Sequence, residues 1–262
     1  YMARTGLFQR IIVPLIAVPL TIVTALSLAG CGSTTAQKTI SKGPLSTLTV
    51  ASASAVSTLS VNQEAGSANY QLAALYQEGL TGVDASGKVI PALAEHWKSK
   101  NNNKTWVFTL RKNVKLHDGS TLTTNDVVDS INVARDPKLS PGLSVYWPNY
   151  VENAQQTGDN EITITLSSSH ADFPIQVSNV AGLFVTSKKF REEAGSAYGS
   201  ATKLIDGTGP YKVTEFDPSS HITLQKFKIY WGKNNGPKTV RVNLISLFLI
   251  TSYRVDEETR LC

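Results

Sequence analysis

TWVFTLRKNVKLHDGSTLTTNDVVDSI, residues 105–131, holds a strand, a turn and a helix start in one short stretch. From Thr105 to Leu110 the side chains alternate. Trp106, Phe108 and Leu110 share one face, and Thr105, Val107 and Thr109 share the other, which predicts a half-buried strand. Val114 and Leu116 continue the alternation after a short break, and Asp118-Gly119 turns the chain. Thr123 stands three residues before Asp126, a variant capping box whose hydroxyl can accept an orphan amide of the helix start. Val127, Val128, Ile131 and Ala134 then give that helix a buried stripe, and Pro137 stops it.

Upstream, Leu72, Leu75 and Tyr76 form one apolar face of a helix over 69–77, which Gly79 ends. Asp84 to Gly87 reads as a turn, and Pro91 as the start of a short helical turn. Further back, TLTVASAS, residues 47–54, begins β-like with Leu48 and Val50 in alternation. Downstream, Ile162, Ile164 and Leu166 mark a second strand over 161–166, and 188–194 reads as a short amphipathic helix. Tyr211, Val213 and Phe216, then Ile222 and Leu224, then Val240, Val242 and Leu244 mark three more strands. The pattern is mixed α and β with many short strands and no internal repeat.

Composition excludes several classes of function. Lys and Arg number 25 against 20 Asp and Glu, and without Arg4 and Arg10 the balance is 23 to 20, or +3. That excess is small and scattered, so a nucleic-acid partner is not expected. The two cysteines, Cys31 and Cys262, provide no internal disulfide framework. His96, His117, His170 and His221 are widely spaced, and no HExxH or GxSxG motif is present. No metal, no cofactor and no catalytic constellation is expected. His117 beside Asp118 is better explained by the Asp-Gly turn than by half of a catalytic pair.

The N-terminal region carries a targeting signal. Arg4 and Arg10 precede an uncharged apolar run from Ile11 to Leu28, the layout of an export leader. A membrane-spanning helix over 11–30 is a rival, although Pro14 and Pro19 interrupt it. Leu28-Ala29-Gly30-Cys31 resembles the lipobox of bacterial lipoproteins, which implies diacylation of Cys31, cleavage before it, and attachment to the outer face of the cytoplasmic membrane. Residues 1–30 are then a signal peptide and 31–45 a polar tether. At the far end, 246–262 changes abruptly from apolar to charged, and Tyr1 precedes the sole Met2. Both features suggest an incomplete or frame-shifted reading.

Three stretches in order, 74–131, GTGPYKVTEFDPSSHITLQKF at 207–227 and YWGKNNGPK at 230–238, resemble the extracellular solute-binding proteins, family 5. These serve ABC importers of oligopeptides, dipeptides and nickel. Within the first stretch, Tyr76, Glu78-Gly79-Leu80, Pro91, Trp97, Leu110-Arg111 and His117-Asp118-Gly119 stand in the family's order, with Gln77 as an addition. The resemblance implies a type II periplasmic-binding-protein fold and covers residues 46–245 as its first lobe, the second lobe being missing.

The same resemblance implies a peptide held by main-chain pairing between two lobes and delivered to a membrane permease. It places first-lobe contacts at Ser57, Thr58, Leu59, Ser60 and Val61. Tyr146 and Trp147, in a stretch without periodicity, are open to either a core or a cleft role. Trp97, Trp106 and Trp231 read as core anchors. Gly207 and Gly209 read as a structural turn with backbone angles a side chain would forbid. An exported hydrolase and a non-functional fragment are the competing readings.

Overall fold

The computed structural model describes residues 46–245 of the chain. The predicted leader, the lipidation residue Cys31, the tether and the tail over 246–262 lie outside the described residues. Two four-stranded sheets organise the remainder. The first joins β1 (Thr47–Ser52), β8 (Tyr211–Asp217), β9 (His221–Lys226) and β10 (Thr239–Leu244) in the order β1-β10-β9-β8. β1 runs parallel to β10, with Leu48 opposite Val240 and Val50 opposite Val242, while the other pairs are antiparallel.

The second sheet is antiparallel throughout. It joins β4 (Ala94–Lys100), β5 (Thr105–Leu110), β6 (Val151–Gly158) and β7 (Glu161–Leu166) in the order β4-β5-β7-β6. Trp106, Phe108 and Leu110 of β5 and Ile162, Ile164 and Leu166 of β7 are buried, as the alternation predicts. A small hairpin of β2 (Thr81–Val83) and β3 (Val89–Pro91) stands beside it. The proline belongs to this hairpin and starts no helix: Pro91 lies opposite Thr81, and the chain continues into β4 to pair with β5. A proline is tolerated at such an edge, where its missing N–H breaks no ladder.

Helix α1 (Ser67–Tyr76) buries Asn69, Leu72, Ala73 and Tyr76. Gln77 lies just outside it in extended conformation, its N–H capping the Ala73 carbonyl. Helix α2 (Thr124–Arg135) opens with the predicted capping box. Thr123 Oγ1 accepts the Asp126 N–H at 3.2 Å, and Asp126 Oδ2 accepts the Thr123 N–H at 2.9 Å. Two short helices follow, α3 (Phe173–Gln176) and α4 (Lys188–Ala194). Asp126 also accepts the Lys188 N–H at 2.9 Å, so a single carboxylate caps α2 and α4 together. Arg191 of α4 pairs with Asp129 of α2 at 2.6 Å.

Neither β4 nor β6 is expected from the sequence pattern. In β6 only Val151 and Ala154 are buried, and in β4 only Ala94, because both are outer strands of their sheet with polar side chains towards solvent.

Candidate functional site

The three sequence stretches that look alike to one family are brought to one place. Glu78, at the end of α1, is buried, and its two carboxylate oxygens accept from Tyr230 Oη at 2.7 Å and Trp231 Nε1 at 2.9 Å. Burial pushes the Glu78 carboxyl above its usual range, an effect that the Trp231 and Tyr230 donors and nearby Arg111 oppose. Arg111 stacks over Trp231, 4.1 Å from the ring centre, and pairs with Glu95 at 3.0 Å. His117 donates its backbone N–H to Gly207 O at 2.9 Å, and its Nε2 lies 3.0 Å from Gly209 O. That nitrogen must carry the proton, since the carbonyl can only accept. Burial pushes the imidazole down to about 4.

This knot is structural. Asp118 Oδ1 accepts the Ser120 N–H at 2.7 Å and Gly119 has φ of +93°, the Asp-Gly turn the sequence predicts. Gly207 and Gly209, by contrast, are absent from the positive-φ residues, so backbone angle is not their reason. Space is: a Cβ at Gly207 would stand 2.1 Å from Tyr76 O, and one at Gly209 2.6 Å from Tyr76 C. Trp106 is fully packed in the core, and Trp97 and Trp231 lie half-buried against it.

The expected ligand contacts form a ledge that follows β1. It is pinned from three directions. From α1, Asn69 Nδ2 donates to Thr58 O at 3.0 Å and Tyr76 Oη to Leu59 O at 2.9 Å. From the turn after α4, Gly199 O accepts the Leu59 N–H at 2.9 Å and Thr58 Oγ1 at 3.3 Å. From the loop after α2, the Gly142 N–H donates to Asn62 O at 3.0 Å and Ser140 Oγ to Asn62 Oδ1 at 3.2 Å. Leu59, Ser60 and Val61 are thereby buried, Thr58 is half-buried, and Ser57 is exposed with its hydroxyl on the Glu64 carboxylate.

The third anchor carries the two aromatics of the aperiodic stretch to the ledge. Trp147 is buried in the core, whereas Tyr146 next to it is 67% exposed. The loop turns helically there, with the N–H groups of Tyr146 and Trp147 both donating to Leu143 O, which sends consecutive side chains to opposite sides. Tyr146 thus stands exposed, close enough to Tyr70 to act on its phenol. Tyr70, which the sequence reading did not select, stands nearby. It packs edge-on against Phe184, and burial followed by the neighbouring Tyr146 pushes its phenol up.

Of two grooves in this part of the fold, only the second is lined by a ledge residue, Ser60. One, about 580 Å³, is apolar and lies between α1 and the β1 to β10 pair, lined by Leu48, Val50, Leu72, Leu75, Val240 and Val242. The other, about 340 Å³, lies between Ser60, Asn62, Gln63, Lys138, Arg191 and Tyr198. Among the described residues no group of three His, Cys, Asp or Glu side chains is placed to hold a metal ion.

Comparison with known proteins finds relatives and solved structures similar to part of this chain. The chain is 27% identical over 194 residues to the dipeptide-binding protein DppE of Bacillus subtilis, covering 68% of this chain and 34% of that protein. It is 31% identical over 166 residues to the dipeptide-binding protein of Escherichia coli, covering 55% and 30%. It therefore spans about a third of the length of these curated relatives. Among solved structures, Listeria monocytogenes OppA bound to peptide shares the fold with a TM-score of 0.71 at 20% identity, covering 78% of this chain and 43% of that one. MoaA of A. tumefaciens R10 in complex with mannopinic acid has a TM-score of 0.69 at 26% identity, covering 77% and 41%. The architecture is thus that of the type II periplasmic binding proteins, as the resemblance implies. Residues 88–247 match the model of the bacterial extracellular solute-binding proteins, family 5, and the chain belongs to that family.

Proposed function

We propose that the chain is the peptide-binding component of an ABC importer, held at the outer face of the cytoplasmic membrane by lipid on Cys31. It captures oligopeptides or dipeptides and delivers them to the permease, and it catalyses nothing. The observation that carries this reading is the ledge itself. A main-chain segment is fixed by hydrogen bonds from three other parts of the fold, and Ser57 at its start is exposed with its hydroxyl on the Glu64 carboxylate. A rigid ledge suits an extended peptide, whose constant element is its backbone. Relatives described as dipeptide-binding support the same ligand class.

The chemistry of the remainder suits binding as well. His117 is sealed from solvent and held neutral by the knot, so it is not available as a general base. Isothermal calorimetry with a pool of di- to pentapeptides, on the chain joined to a second lobe of its family, tests the reading. Saturable heat for peptides and unchanged peptide masses after incubation are expected. No heat with any peptide, or steady cleavage that survives repurification, overturns it. Lipidation is tested separately by fatty-acid labelling of cells carrying the wild type and Cys31→Ser, where equal labelling overturns the anchor.

A further inference from the structure

Asp206, immediately before the Gly207 to Gly209 segment, is 2% exposed. Its Oδ1 accepts the Asp118 N–H at 3.1 Å, but its Oδ2 is sealed from solvent with no hydrogen-bond partner. Every packed neighbour bears on that oxygen's charge. On the 117–119 turn, Asp118 adds a second carboxylate, while the backbone N–H groups of Asp118 and Gly207 favour the charge. On β8, the Lys212 ammonium offers attraction, but its Nζ is already committed to His117 O at 3.0 Å. On the remaining side stand two hydroxyls. Thr186 Oγ1 donates to the backbone carbonyl of Asp206 at 2.8 Å, and Tyr198 Oη lies 2.7 Å from Thr186 Oγ1, with Arg191 of α4 acting on that phenol.

A bare carboxylate oxygen without a donor is costly to bury, and a like charge beside it adds to the cost. Burial first, and Asp118 second, push the Asp206 carboxyl up to about 7. The same hydroxyl chain leads to the ledge. Tyr198 is followed by Gly199, whose carbonyl holds the Leu59 N–H and the Thr58 hydroxyl.

We propose that Asp206 is a proton-operated latch on the ledge. Protonated, it lets the 198–209 segment close against the 117–119 turn and hold Leu59. Ionised, its sealed and unpartnered Oδ2 carries charge out of reach of water, with the Asp118 charge adding to the cost, and the segment loosens its grip on Leu59. The bearing of this latch on peptide capture rests on the function proposed above, but the latch itself does not, and no ligand is used in its test.

The sign follows from proton linkage. A carboxyl raised above its unfolded value binds protons more tightly in the folded chain, so it stabilises at low pH and that stability is lost as pH rises through about 7. The test is urea unfolding of the full chain and of Asp206→Asn from pH 5 to 8.5, with amide exchange read at Leu59. The ratio of the wild-type unfolding constant to that of Asp206→Asn should rise by about tenfold per pH unit up to about pH 7 and then level. His117 titrates in the opposite sense but is present in both chains, so it cancels from the ratio. Protection at Leu59 should fall with rising pH in the wild type alone. A ratio independent of pH, or the same loss of Leu59 protection in both chains, overturns the latch. If Asp206→Asn does not fold, Asp118→Asn serves, because Asp118 is exposed and the amide keeps an oxygen for the Ser120 N–H. It should shrink the loss of Leu59 protection on raising the pH and make it level off at a lower pH, and an unchanged loss overturns the proposal.

Discussion

Arg111 and Trp231 lie face to face, the guanidinium carbon 4.1 Å from the ring centre, while the indole N–H of the same ring donates to buried Glu78. One side chain thus holds a cation on its face and a buried carboxyl at its edge, and ties the segment after β9 to the residues just past α1. Trp231→Phe keeps the stacking surface and removes the donor. It should destabilise by about 1–3 kcal/mol, the usual cost of leaving a buried acceptor without its partner, in urea unfolding followed by circular dichroism. A change below a few tenths would mean that Tyr230 alone satisfies Glu78.

Gly207 and Gly87 make a contrasting pair. A methyl at Gly207 would drive into the Tyr76 carbonyl, with the Gln77 side chain crowding it too, so Gly207→Ala should cost more than about 4 kcal/mol or prevent folding. Gly87 has φ of +84° with open space around it. Gly87→Ala should therefore cost only about 1–2 kcal/mol, the left-handed strain of one residue. Thermal melting of the two variants separates close approach from backbone angle as the reason for a glycine.

Asp126 serves two helices and Thr123 one. Thr123→Ala removes a single cap and should cost about 1 kcal/mol. Asp126→Ala also releases the Lys188 N–H at the start of α4, so its cost should be roughly twice as large. Equal losses in chemical denaturation would show that the α4 contact contributes nothing.

His117 sets an acid limit. Its folded value, about 4, lies below the usual 6.5, so the unfolded chain takes up the proton first. Stability from this group is fully present above about pH 6.5 and is lost as pH falls towards 4, by up to about 3 kcal/mol. In wild type the opposing Asp206 titration masks much of it. In Asp206→Asn the acid loss should stand alone, and the His117 ring protons should show no titration by NMR between pH 8 and 5.

The elements that could be read from sequence are those with one clear face. β5, β7, α2 with its capping box and α4 carry their period within a few residues, and each is found where the pattern puts it. β4 and β6 were hidden because an outer strand buries few side chains and shows no strong alternation. Trp147 and Tyr146 could not be told apart, since only the turn at Leu143 decides which points inward. The Asp206 site is of another kind. Its character comes from Asp118, Lys212 and Thr186, which are distant in sequence, and no local pattern announces it.

The parallel pairing of β1 with β10 constrains the order of events during synthesis. Thr47 to Ser52 can find Thr239 to Leu244 only after nearly 200 intervening residues have been made. The sheet of β4 to β7, drawn wholly from residues 94–166, can assemble while β1 is still waiting. Until that late partner arrives, the ledge has no β-sheet to spring from, and the uncharged strand TLTVAS stays open to wrong pairings. A chain built this way completes the sheet behind residues 57–61 only after its second sheet can already have formed.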